Sequence, residues 1–221
     1  KRRLVEMDRE GVAAELVIPA NQCAVMPFFH INNRPHPPEL RAAGARAYHR
    51  WLADQVAQAH GRIIAMADAG PCLDMDESVA ELDWIAEHGI IAIGLPTTLD
   101  DPRLPELYDP YYEPIWAACA DHELVLLLHA PGVRVRQGNT FAVNERLAEI
   151  AGGDFNPAKL SEAAMTLRSE DGTNHFELDL SARQAMFQLM ASGVFDRHPS
   201  LKLVLTELRA DWVPETLRLL D

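Results

Sequence analysis

The chain has 221 residues, 48% of them hydrophobic and 24% charged, the balance of an ordinary globular protein rather than a disordered or fibrous one. Acids outnumber bases 33 to 20, giving a net charge of −13. That argues against a nucleic-acid partner, because neutralising phosphates takes a basic face. Cys23, Cys72 and Cys119 form neither a zinc-type Cys-x-x-Cys pair nor a disulfide framework. No apolar stretch approaches the ~20 residues of a membrane span, and the opening Lys1-Arg2-Arg3 carries no apolar signal segment. A cytoplasmic protein without a membrane partner is expected.

The first strand is predicted at Ala14–Pro19, followed by a loop over 21–38 rich in Pro and Asn. A long helix is expected from about Glu39 to His60, with Leu40, Ala47, Trp51, Val56 and Ala59 near one face and Gly61 as its stop. Arg62–Ala67 reads as the second strand. Ser78 and Glu81 suggest a capping box for the next helix, whose stripe is Val79, Leu82, Ile85 and Ala86. Ile90–Leu95 is the third strand. Asp109-Pro110 introduces a helix carrying Ile115, Trp116 and Cys119, and Leu124–His129 is the fourth strand. An unbroken apolar run of that length is what a parallel strand buried on both faces requires.

After Pro131 the pattern breaks. Residues 132–176 form a polar insertion expected to act as a lid or substrate-selecting loop, since it leaves the carboxyl end of a strand. Ser181 and Gln184 suggest a second capping box, Leu201–Thr206 is the fifth strand, and a last helix starts near Trp212-Val213-Pro214. Strands alternating with helices predict a parallel α/β architecture. Five strands fit either an open doubly wound sheet or part of an eight-stranded barrel. A complete barrel needs ~250 residues, more than this chain offers alongside its insertion.

Both closures gather chemistry at the carboxyl ends of the strands. His129 stands there, as a candidate metal ligand or general base. Glu207 ends the fifth strand in the same way and is a candidate proton carrier, with a salt bridge to Arg209 as the bland alternative. Asp68 follows the second strand, but the nearby Asp74, Asp76 and Glu77 read as a solvated helix start. No Lys or Arg lies between Arg62 and Arg103, so these acids lack sequence-local partners. Asn21 and His30, after the first strand, and Arg209 are candidate substrate contacts. The remaining histidines, His49 among them, are expected to be structural or superficial. There is no Gly-x-Gly-x-x-Gly, P-loop, Gly-x-Ser-x-Gly or His-Glu-x-x-His, so nucleotide binding and serine-hydrolase chemistry find no support.

Three stretches together resemble the amidohydrolase superfamily: Tyr108-Asp109-Pro110-Tyr111-Tyr112-Glu113-Pro114-Ile115-Trp116, the strand end Leu127-Leu128-His129-Ala130, and Gly193–Glu207, which contains Phe195-Asp196-Arg197-His198-Pro199, with Trp212-Val213-Pro214 after it. Within it the chain is similar to the amidohydrolase 2 group, which includes aminocarboxymuconate-semialdehyde decarboxylase. The resemblance implies one (β/α)8-barrel domain over 1–221, represented by about strands 2 to 6. It also implies one divalent metal, usually zinc, and a small-molecule substrate. By that mapping His129 matches the fifth-strand metal ligand, and Glu207 stands where the catalytic histidine would be. The His-x-His and the final Asp of the family's metal site have no counterpart in this sequence.

The leading expectation is a metal-dependent hydrolase of a small carboxylate or aromatic metabolite. A non-oxidative decarboxylase is the alternative within the same superfamily, and a non-catalytic binding or assembly protein the alternative outside catalysis. A homo-oligomer is expected by family analogy alone.

Overall fold

The computed structural model describes residues 2–18, 37–96, 103–129, 174–206 and 210–220, with backbone alone for residues 129, 174–182, 219 and 220. Helix α1 (Arg2–Glu10) precedes strand β1 (Glu15–Val17). Then come α2 (Pro38–Gln58), β2 (Ile63–Ala67), α3 (Met75–Glu87) and β3 (Ala92–Gly94). A 3-10 turn at Pro110–Tyr112 leads into α4 (Glu113–Asp121) and β4 (Val125–His129). Helices α5 (Asn174–Ala191) and α6 (Val194–Arg197), strand β5 (Lys202–Thr206) and helix α7 (Val213–Leu220) complete the described elements.

The five strands lie side by side in the order β1-β2-β3-β4-β5, and every pairing is parallel. A doubly wound sheet reverses its strand order at a switch point. This one does not, so of the two closures the sequence permits, the arc of a (β/α) barrel is the one adopted.

Alternation along the strands separates two cores. Ala65, Ala67, Ile93, Leu126 and Leu128 point outward and pack beneath the helices with Leu82, Ile85, Ile115 and Trp116. Met66, Ala92 and Leu127 point to the concave side, with Ile18 and Ile64 against them. Residues 126, 127 and 128 are all buried, so β4 is covered on both faces, as its apolar run predicts. Leu16 pairs with Ile64 and Val204 with Leu127, which puts both on the concave side at the ends of the arc. There Leu16 is 39% and Val204 41% exposed, against 1% for Met66 at the centre.

Three helix expectations need correction. Helix α2 buries Arg41, Ala42, Ala45, Tyr48, His49, Leu52 and Ala53, whereas Leu40 and Trp51 of the expected inner stripe are 47% and 56% exposed. Small alanines let this face approach β2 closely, and its polar side chains find partners there. Helix α3 is capped by Asp74, whose carboxylate accepts from the Glu77 N–H at 3.0 Å, and not by Ser78. An aspartate one turn upstream takes the free N–H first, and the Ser78 hydroxyl donates to the Asp74 carbonyl instead. Helix α5 begins at Asn174, so Ser181 lies inside it; no Gly or Pro interrupts 174–180 to make Ser181 the entry.

Candidate active site

The carboxyl ends of β4 and β5 are in register. Leu127 pairs with Val204, Leu128 with Leu205 and His129 with Thr206, and the Thr206 hydroxyl donates to the Leu128 carbonyl at 3.3 Å. Glu207 therefore follows directly on the residue paired with His129. The His129 side chain, and Asn21, His30, Glu207 and Arg209 in full, lie outside the described residues, as does the expected lid over 132–176 except for its last three residues, which begin helix α5.

Asp68 is the one sequence candidate whose side chain is described. It is 2% exposed and directs its carboxylate at protein groups. Arg41 Nη2 donates to Oδ1 and Oδ2 at 3.3 and 3.4 Å, and the Gly70 N–H donates to Oδ1 at 2.6 Å. Gly70 has φ +74°, a backbone region that favours glycine, so the turn after β2 folds back onto the aspartate. The Asp68 backbone N–H donates to His49 Nε2 at 3.1 Å.

His49 is fully buried. Its Nδ1 lies 2.7 Å from Glu81 Oε1. A carboxylate accepts and a backbone N–H donates, so the two partners assign the proton to Nδ1 and leave Nε2 as the acceptor. Arg50 also binds the Glu81 carboxylate. Burial pushes Glu81 upward, but the hydrogen bonds from His49 and Arg50 outweigh it and hold the carboxyl below its usual range.

Three of the acids that lack local partners in the sequence find them across space, on α2. Arg41 takes Asp68, Arg46 takes Glu77 and Arg50 takes Glu81. The spacing of Arg41, Arg46 and Arg50 was the available signal, since a run of unmatched acids implies a run of bases elsewhere. The roles of His49 and Arg41 are what sequence reasoning missed.

The segments that carry the family resemblance turn out to be joints. Asp109 caps the 3-10 turn by accepting from the Tyr111 N–H at 2.9 Å. The Tyr111 hydroxyl donates to the Cys72 carbonyl at 2.6 Å, tying this segment to the turn after β2. Tyr112 and Trp116 are core residues. Arg197 donates through Nε and Nη2 to the two oxygens of Glu113 at 3.0 and 2.7 Å. His198 Nε2 lies 2.8 Å from the same carboxylate. The Arg197 hydrogen bond, aided by His198, holds Glu113 down at about 2 against the opposing effect of burial. Cys72 and Cys119 are buried free thiols, both pushed up to about 12 by burial, and so are not nucleophiles.

Among the described residues, no group of three or more His, Cys, Asp or Glu side chains is placed to hold a metal ion. The described side chains alone do not fit a metal. Among the described residues, no helix is long and apolar enough to cross a membrane.

An arc of parallel strands in chain order, covered by helices and with polar residues where the strands end, defines an incomplete (β/α)8 barrel. The family model described as Amidohydrolase matches residues 29–221, and the chain belongs to that family. No curated protein matches the chain. Among solved structures, an amidohydrolase from Mycobacterium avium subsp. paratuberculosis K-10 is 21% identical, with a TM-score of 0.67 over 99% of this chain and 50% of its own. A manganese-bound 5-carboxyvanillate decarboxylase from Novosphingobium aromaticivorans DSM 12444 is 18% identical, with a TM-score of 0.66 over 100% of this chain and 53% of its own. A manganese-bound dihydroxybenzoic acid decarboxylase from Polaromonas sp. JS666 is 20% identical, with a TM-score of 0.61 over 93% of this chain and 53% of its own. The chain spans about half the length of these structures.

Proposed function

We propose that this chain is part of an enzyme that removes the carboxylate of a small aromatic acid as CO2. The reading rests on family membership together with one geometric observation, the register that sets His129 against Thr206, the residue that precedes Glu207 in the sequence. The decarboxylases among the structural neighbours favour carboxy-lyase chemistry over the hydrolysis first expected from the sequence.

In such a reaction the bond between the ring carbon and the carboxylate breaks, its electron pair stays on the ring carbon, and that carbon takes a proton. Glu207, in its protonated form, is the proposed donor; it recovers its proton from solvent after CO2 leaves. His129 is proposed as one donor to a divalent ion. Manganese, present in two neighbours, is a better first choice for loading than the zinc expected from the resemblance. A small-molecule substrate is the only partner this reading calls for.

The test is product identity. The whole protein, incubated with manganese and a panel of hydroxylated benzoates, is expected to release CO2 and the matching phenol, with less bound metal in His129→Ala. Hydrolysis of amides or lactones with no CO2 from any benzoate would overturn the proposal in favour of the hydrolase reading.

A further inference from the structure

A buried histidine with both ring nitrogens committed lies beside a strand end and has no part in the chemistry proposed above. His49 is seated in helix α2, fully buried, and lines a small cavity of about 30 Å³ with Arg46, Asp68, Asp74, Glu77 and Glu81. We propose that His49 is an acid-sensitive latch on the turn that follows β2. In its neutral Nδ1–H form it holds the Asp68 backbone in place, and addition of a second proton releases it.

The Asp68 N–H points at Nε2 from 3.1 Å, so that nitrogen must present a lone pair. Protonating Nε2 sets two N–H groups against each other, and the buried amide loses its acceptor. Leaving a buried donor unsatisfied is costly, so the ring and the turn must separate. On the other side of the ring the Glu81 carboxylate lies 2.7 Å from Nδ1.

Among the described residues, the charged groups around the ring come from three elements. Helix α2 itself supplies Arg41, Arg46 and Arg50, engaged with Asp68, Glu77 and Glu81. Helix α3 supplies Glu77 and Glu81, and the turn after β2 supplies Asp68 and Asp74. Four carboxylates against three guanidinium groups leave room for an imidazolium once the Asp68 contact is broken. Release would act on the whole turn, because the Asp68 carboxylate also organises Gly70 and the Tyr111 hydroxyl reaches the Cys72 carbonyl.

The inference stands on the fold and is independent of the reaction proposed for the rim. Its test is an NMR titration of the whole protein with labelled histidine from pH 8 towards pH 5. Exchange of the Asp68 amide is followed on the same sample and expressed as a protection factor, so that the intrinsic pH dependence of exchange is removed. The expected result is an Nδ1–H tautomer for His49 at pH 8. As the ring takes its second proton, Asp68 protection should fall about tenfold or more. His49→Gln, whose amide oxygen accepts without titrating, should keep Asp68 protection constant over that range. An Nε2–H tautomer at pH 8, a ring that stays singly protonated throughout, or Asp68 protection unchanged on protonation would each overturn the latch.

Discussion

Two assemblies in this molecule are built from the same side chains, an acid, an arginine and a histidine, in opposite surroundings. Asp68 with Arg41 and His49 is almost wholly buried, whereas the Glu113 and Arg197 side chains are 35% and 46% exposed. The buried set organises one turn at the carboxyl end of β2. The half-exposed set joins α4 to the residues that lead into β5. The comparison shows that a sequence signature and an energetically critical contact need not coincide. The family-like segments supply the exposed joint, while the buried pair depends on an arginine 27 residues from its aspartate, which no short motif would flag.

The largest test of this contrast is Asp68→Ala. Removing one member of a buried pair takes away the carboxylate that the Arg41 guanidinium binds, and the cost is expected to be about 3–5 kcal/mol of unfolding free energy in urea titration. Replacing both members, as in Arg41→Met with Asp68→Leu, should recover much of that loss. Equal losses in the single and double variants would mean that the pair contributes favourably in its own right.

Glu113→Gln should cost less, about 1 kcal/mol, because solvent screens the joint. Its signature is in the pH dependence. A carboxyl held down at about 2 in the folded state stabilises the fold above its unfolded value, ~4.3. That stabilisation is lost as pH falls from there towards 2. The wild type should therefore weaken across that acid window more steeply than the variant, as read by thermal melts at stepped pH. Parallel curves would remove the joint from the account. Arg46→Ala, which removes the half-exposed ion pair with Glu77, should change stability by no more than about 0.5 kcal/mol.

Much of the architecture was legible because parallel strands buried on both faces advertise themselves. Leu124–Leu128 and Ile63–Ala67 are apolar runs with few other interpretations. The choice between barrel and doubly wound sheet came from the family-like segments and not from the strand pattern, since strand order depends on crossovers that no local pattern encodes. Helix α2 misled for a physical reason. Its buried face carries Arg41 and His49, which a hydrophobic stripe excludes, while Trp51 lies half in solvent. At the rim, Asp68 was found by its position after a strand, but its partners were not, because they lie on the helix before that strand. Glu207 and His129 were singled out by the same positional rule; β4 pairs with β5 up to His129 and Thr206, and the two candidate side chains lie outside the described residues.

The most direct measurement is CO2 release from the panel of hydroxylated benzoates by the whole protein and by its Glu207→Gln variant, both loaded with manganese. The account predicts CO2 from the wild type and a loss of about a hundredfold or more in the variant, the scale of a positioned proton donor. Equal rates in the two proteins, or no CO2 from either, would contradict it.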